Sequence, residues 1–163
     1  MPSQGRGAFH EDGRNFLCAQ LLFWLLAAID CHAKNFSLFV LQGGRYRMTP
    51  LYDVLSAWPL IGTGPYQLQY KKTKLAVAVR GKTAHYKLAE IQYRHWQLLA
   101  QRSGVQDAWQ SMVDMTQRLD AALTTVEERL PADFPMQLAQ VVFQGARRHL
   151  AQFTGGAGSL ALA

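Results

Sequence analysis

Three side chains, Asp30, Asn35 and Asp53, have the types and spacing of a site that handles a metal ion and phosphates. Asp30 and Asp53 are the only carboxylates between residues 14 and 70. An apolar run precedes Asp30, and strand-like residues separate Asn35 from Asp53, so ordinary solvated acids are not expected here. Carboxylate and amide oxygens are the hard donors that Mg²⁺ prefers when it also keeps waters and substrate phosphates. Phosphoryl transfer needs such a metal and a carboxylate that orients the attacking hydroxyl.

The segment between Asn35 and Asp53 is predicted to form a β-hairpin. Residues 36–41 and 45–51 are rich in aromatic and branched side chains. Gly43-Gly44 between them suits the positive φ angles of a two-residue turn. The hairpin should therefore return Asp53 to the neighbourhood of Asn35.

The register of this hairpin follows from its turn. A two-residue turn pairs Gln42 with Arg45, which sets Asn35 opposite Tyr52. Asp30 then lies one short loop away, so one amide and two carboxylates are expected to converge.

The order of these residues matches the catalytic loop of protein kinases. There, an Asp lies five residues before a metal-binding Asn, and a hairpin leads to a second metal-binding Asp. The identities of the residues around these positions indicate a family more specifically than the spacing does. Residues 30–37 (Asp-Cys-His-Ala-Lys-Asn-Phe-Ser) and 50–56 (Pro-Leu-Tyr-Asp-Val-Leu-Ser) resemble the C-terminal lobe of the HipA family of bacterial serine/threonine kinase toxins. The resemblance extends from about Arg14 to Phe153.

The resemblance implies a role for each residue of the loop. Asp30 would be the catalytic base, Asn35 and Asp53 the Mg²⁺ ligands, and His32 and Lys34 loop residues near the phosphates. The implied reaction transfers the γ-phosphoryl group of ATP to a protein serine.

The resemblance also implies partners. Family members are toxins paired with a DNA-binding antitoxin, and a translation enzyme such as a tRNA synthetase is the known kind of target. A family kinase also has an N-terminal half with a phosphate-covering loop and a nucleotide-binding lysine, which the residues before Arg14 do not resemble. We therefore expect the chain to be inactive alone. Three interpretations stay open: a separately encoded N-terminal lobe completes it, it is a non-catalytic binding or regulatory module, or it is a truncated kinase remnant.

Simpler explanations compete with these assignments. Asp and Asn are frequent turn residues, so without the wording they would more often be caps and turn formers than metal ligands. Residues 56–70 contain Pro59, Gly62, Gly64 and Pro65 and are expected to be irregular. They lie where a kinase has its activation segment, and substrate contact, regulation and a plain connection are all compatible with the composition.

Composition places the chain among globular proteins. It has 163 residues, of which 49% are hydrophobic and 17% charged, enough for one buried core. The net charge of +6 is uneven, because residues 71–102 hold eight basic side chains against Glu90. We expect this to be a solvated face and not a direct nucleic-acid surface. The two cysteines lack zinc-ligand spacing, and the apolar run 16–29 is shorter than a membrane span, so we expect a cytoplasmic protein.

The expected architecture is a mostly helical α+β domain resembling a protein-kinase C-terminal lobe, with the β-hairpin after the catalytic loop. Residues 1–13 are interpreted as a flexible lead-in, 14–153 as the domain and 154–163 as a flexible tail. His149 lies beside Arg147 and Arg148 near an expected helix C-terminus, where positive charge suits the helix dipole, and no catalytic role is assigned to it. The expected elements are a helix at 16–29 capped by Asp12, a strand at 75–79, helices at 93–102 and 109–130, and a final helix after Asp133.

Overall fold

The structure, a computed structural model, describes residues 3–160 and the side chains of residues 9–155. Within this part the chain forms five α-helices and two separate antiparallel hairpins. This is the mostly helical α+β fold that the sequence predicts. The elements are α1 (Ser3–Leu25), β1 (Leu38–Leu41), β2 (Arg45–Met48), β3 (Lys74–Arg80), β4 (Ala84–Lys87), α2 (Tyr93–Arg102), α3 (Ala108–Gln117), α4 (Leu119–Arg129) and α5 (Met136–Leu160).

Helix α1 runs through the centre of the core. Its residues Leu21, Trp24 and Leu25 are fully buried, and it packs against α3, α5 and β2. The Trp24 ring lies 5.9 Å from the ring of Trp96 on α2. A helix that is apolar on most sides has to be enclosed by other elements, and the contacts of α1 provide this enclosure. Among the helices between Ser3 and Leu160, none combines the length and hydrophobicity that a membrane span requires.

Helix α1 starts earlier and ends earlier than residues 16–29. It spans Ser3–Leu25, so residues 3–13 of the predicted lead-in are helical, while residues 1 and 2 lie outside the described part. Asp12 is not a cap: it sits inside the helix, and its carboxylate accepts the backbone N–H of Met48 at 3.0 Å. Such tertiary contacts outweigh the weak helix propensity of the glycines in this stretch.

The predicted single helix from Trp109 to Leu130 is wrong. Two helices, α3 and α4, meet at Arg118, whose backbone N–H bonds to the carbonyl of Met115 at 3.2 Å. The bend allows α3 to pack against α1 while α4 packs against α5. A single straight helix would present its apolar stripe in only one direction.

The remaining elements agree more closely with the predictions made from the sequence. Helix α2 spans the predicted residues 93–102, and β3 contains the predicted strand 75–79. The short strand β4 was not predicted. Helix α5 continues to Leu160, through most of the predicted tail 154–163.

Candidate functional site

The hairpin β1–β2 forms, but with a register one residue away from the predicted one. Arg45 is opposite Leu41 and not Gln42, so residues 42–44 form a three-residue loop. Both glycines of this loop adopt positive φ angles, 78° and 70°. A Gly-Gly sequence satisfies either loop length, which is why the sequence alone did not fix the register.

The predicted convergence of Asn35 and Asp53 is present in the structure. Asn35 Nδ2 donates to Asp53 Oδ2 at 3.2 Å, and Asn35 Oδ1 accepts the backbone N–H of His32 at 2.9 Å. Asn35 is buried, whereas Asp53 is exposed. Asp53 has a φ of 56°, a left-handed conformation that costs free energy for a residue other than glycine. Such outliers concentrate at functional sites.

Tyr52 joins the two sides of this contact. Its hydroxyl donates to the carbonyl of Lys34 at 2.7 Å and lies 2.8 Å from the hydroxyl of Ser37. Because the tyrosine proton goes to the carbonyl, Ser37 donates to the tyrosine oxygen. Tyr52 directly precedes Asp53, so its hydroxyl holds the loop around Asn35 next to Asp53. No role was predicted for Tyr52, although it lies within the motif at residues 50–56.

Asp30 follows the end of α1 closely. The helix ends in a Schellman motif, in which the N–H of Ala28 bonds to the carbonyl of Phe23 at 2.7 Å and Ala27 takes a φ of 48°. Asp30 is exposed, and the carbonyl of the preceding Ile29 accepts a hydrogen bond from β3. The predicted base is therefore accessible to solvent.

Cys31 directly follows Asp30 in the chain, and its side chain approaches the backbone of Asp53. Its side chain is buried and its sulfur is 3.9 Å from the carbonyl oxygen of Asp53. Burial raises the pKa of this thiol, and the negative charges of Asp53 and Asp30 raise it further. The contact of Cys31 with the Asp53 carbonyl brings the residue after Asp30 to the backbone of Asp53.

The end of α1 is tied to the segment that follows Asp53. The carbonyl of Leu26 accepts from Ser56 Oγ at 2.6 Å, and that of Leu25 accepts from the indole of Trp58 at 3.0 Å. The carbonyl of Ala27 accepts from a backbone N–H at 3.0 Å. These bonds satisfy carbonyls that a helix end leaves open. They also hold the chain that follows Asp53 against one rigid helix.

A comparison with known protein families identifies the domain. The model of the HipA-like C-terminal domain matches residues 3–128. The chain belongs to the HipA-like C-terminal domain family. The matched range runs from α1 into α4 and includes Asp30, Asn35 and Asp53. The family predicted from the residues of the two motifs is therefore confirmed.

In this HipA-like domain, His32 and Lys34 hold the region around Asn35 mainly through their backbone groups. The N–H of His32 holds the Asn35 amide, and the carbonyl of Lys34 holds Tyr52. The His32 ring is half-buried, and its Nδ1 has no partner among the described residues. The Lys34 side chain is exposed.

The donor set of the HipA-like domain fits Mg²⁺ in type and number. In the described part of the chain, no three His, Cys, Asp or Glu side chains gather as a metal cluster. Mg²⁺ does not require one, because it commonly uses one or two protein ligands and keeps its waters. Asp53 offers an exposed carboxylate, and Asn35 Oδ1 has a second lone pair beyond the one used by His32.

A buried histidine of this HipA-like domain links α5 to α1. His149 is fully buried, stacks on Trp24 with ring centroids 4.2 Å apart, and its Nδ1 lies 2.6 Å from the Trp24 carbonyl. A carbonyl only accepts, so Nδ1 carries the proton and Nε2 accepts from the Tyr70 hydroxyl at 2.8 Å. Burial lowers the pKa of His149 to about 4. His149 is therefore a neutral link between α5 and α1.

Proposed function

We propose that this HipA-like domain carries the metal-binding and base residues of a serine/threonine protein kinase that transfers the γ-phosphoryl group of ATP to a protein serine. The observation that supports this most strongly is the Asn35–Asp53 contact, which is held by Tyr52. Amide and carboxylate oxygens at this point suit Mg²⁺, and the order of the three residues is that of a kinase catalytic loop.

Each residue has a distinct task in this proposal. Asp53 and Asn35 hold Mg²⁺, which neutralises charge on the ATP phosphates when it is bound. Asp30 orients the serine hydroxyl and takes its proton as the new O–P bond forms and the bond to ADP breaks. His32 and Lys34 lie next to Asn35 along the loop, close to the phosphates.

Family membership supports a wider proposal about context. In this family a toxin kinase works with a DNA-binding antitoxin, and a protein of translation is the substrate. The family kinases also use an N-terminal lobe to cover the phosphates. Positioning accounts for most of the rate in phosphoryl transfer, so we infer that turnover requires such a lobe, on a longer chain or on a partner.

One observation favours a second candidate, a non-catalytic binding module. The Asn35 amide is satisfied without a metal, since its nitrogen faces Asp53 and its oxygen faces His32. A site that has lost its metal would retain such a network for stability alone.

Calorimetric titration with Mg²⁺ and a non-hydrolysable ATP analogue separates the two candidates. The kinase proposal predicts Mg²⁺-dependent binding that falls at least roughly tenfold in Asp53→Asn and in Asn35→Ala, a loss of about 1.4 kcal/mol. Asp133→Asn, which removes an exposed acid elsewhere, is the matched control and should bind like the wild type. Asp30→Asn should retain nucleotide binding, because the base does not hold the metal. A folded protein that binds no nucleotide in the presence of Mg²⁺ would favour the binding module.

A further inference from the structure

A second charged feature lies at the start of β3. From Val54 to Ala89 the sequence contains no acidic residue, and Lys71, Lys72 and Lys74 stand within four positions. All three side chains are exposed, and none of them has an ion-pair partner in the described part of the chain. We call these three residues the lysine edge.

The lysine edge carries a built-in repulsion. Lys74 on β3 is directly opposite Lys87 on β4, and side chains of directly opposed residues lie close together on one face of a hairpin. Lys87 is partly compensated by Glu90, at 2.6 Å. Like charges in opposed positions destabilise a hairpin, and the repulsion persists at Lys74.

Strand β3 connects the lysine edge to the proposed base. The N–H of Ala76 donates to the carbonyl of Ile29 at 3.1 Å, while the other side of β3 pairs with β4. Ala76 is two residues from Lys74, about 7 Å along a strand. Asp30 follows Ile29 directly, so the lysine edge and Asp30 border the same surface.

We propose that the lysine edge is a docking surface for an acidic segment of the protein substrate, which delivers a nearby serine to Asp30. The inference rests on the proposed kinase function and specifies its substrate class. An extended peptide covers about 3.3–3.6 Å per residue. The path runs about 7 Å from Lys74 to Ala76 and about 5 Å more across to Ile29 and Asp30, about 12 Å in all. The acidic side chain that contacts Lys74 therefore lies about three or four residues from the acceptor serine.

The charge distribution favours a peptide over a nucleic acid. Asp30 and Asp53 are exposed carboxylates, and together they repel a continuous phosphate backbone that approaches Asp30. A peptide avoids the repulsion because it places acids on the lysines and an uncharged serine at Asp30. Charge complementarity of this kind chiefly determines specificity and the association rate.

Fluorescence anisotropy with labelled peptides tests the docking surface without ATP. One peptide carries a central serine with glutamates three and four residues away on both sides, and the other has glutamines at the same positions. We expect the glutamate peptide to bind at least roughly tenfold more tightly at low ionic strength. The variant Lys72→Ala/Lys74→Thr should remove this preference. The control Arg80→Ala/Lys82→Ala loses the same charge at the other end of the hairpin and should preserve it.

Two further measurements distinguish docking from a structural role. Lys74→Thr should raise the unfolding temperature, because it removes the repulsion from Lys87, while it weakens peptide binding. A nitroxide at the serine position of the bound peptide should broaden the amide signals of Asp30 and Cys31.

Three results would overturn the inference. They are equal binding of the two peptides, equal losses in both double variants, and tighter binding of a labelled single-stranded oligonucleotide than of the glutamate peptide. Peptide binding without Mg²⁺-dependent nucleotide binding would reject the kinase proposal and leave the docking surface standing. The reverse result would reject the docking surface alone.

Discussion

The side-chain nitrogen of Asn35 donates to the carboxylate of Asp53 at 3.2 Å, across eighteen positions of the chain. The hairpin between them brings the two residues together, and the clamp at Tyr52 fixes their approach. The left-handed backbone of Asp53 turns its carboxylate toward Asn35 while leaving it exposed to solvent. This relationship is the centre of the proposed site, and the features around it lead to separate tests.

Removal of the Tyr52 hydroxyl should loosen the site without unfolding the protein. In Tyr52→Phe, the Lys34 carbonyl and the Ser37 hydroxyl turn to water, which costs about 1 kcal/mol of stability. We expect Mg²⁺-dependent nucleotide affinity to fall by roughly tenfold, because Asn35 and Asp53 lose their fixed geometry. Calorimetry and thermal unfolding measure the two effects. Tyr66→Phe changes a fully exposed ring and should leave both unchanged; a similar change in both variants would refute the clamp.

The thiol of Cys31 should react slowly. Burial and the charges of Asp53 and Asp30 raise its pKa, so little thiolate is present near neutral pH. In a Cys18→Ser background, alkylation by iodoacetamide should be far slower in the native protein than in urea. Asp53→Asn removes one of the negative charges, lowers the pKa of Cys31 and should accelerate the native reaction. An unchanged rate in that variant would show that Asp53 does not act on the thiol.

Acid should destabilise the protein through His149. Its pKa falls from 6.5 to about 4 on folding, so the unfolded chain binds the proton first as the pH decreases. The stabilisation is complete above pH 6.5 and is lost as the pH falls from 6.5 through about 4, for a total of ~3 kcal/mol. Urea unfolding at a series of pH values measures this loss. His149→Gln should be less stable at neutral pH and should show a flatter pH dependence; an equally steep profile would assign the effect to other groups.

Close packing of α5 should make Gly145 intolerant of a side chain. A Cβ at this position would collide with the indole of Trp58, which is buried and bonded to the end of α1. We expect Gly145→Ala to cost about 1–3 kcal/mol of folding free energy, measured by urea unfolding. Gly155→Ala is the matched control on the same helix, because no atom lies within 4 Å of its Cβ position. A neutral Gly145→Ala would mean that α5 and Trp58 separate easily.

The sequence predicted the parts of the site that depend on local patterns. Alternating apolar residues and a Gly-Gly pair predicted the hairpin, and the motif wording predicted the family. The predicted register was wrong because two adjacent glycines are compatible with a two-residue turn and with a three-residue loop. The contact between Asn35 and Asp53 forms whichever register is adopted, because both residues lie outside the strands: Asn35 precedes β1 and Asp53 follows β2.

Long-range contacts explain most of what the sequence did not show. His149 bonds to Trp24 across 125 positions, and no local pattern distinguishes such a histidine from a charged one at a helix end. Asp12 has the composition of a helix cap, yet it serves Met48 of β2 from inside α1. In both cases a tertiary partner determines the role of a polar residue.

Paramagnetic relaxation by Mn²⁺ directly tests the proposed metal site at Asn35 and Asp53. Mn²⁺ replaces Mg²⁺ at oxygen ligands and broadens the NMR signals of nearby nuclei. On titration of the ¹⁵N-labelled protein with Mn²⁺ and a non-hydrolysable ATP analogue, we predict that the Asn35 side-chain amide and the Asp53 backbone amide broaden first. The same signals should stay sharp in Asp53→Asn. First broadening near the exposed acids of α4, with the Asn35 amide unaffected, would contradict a metal site at Asn35 and Asp53.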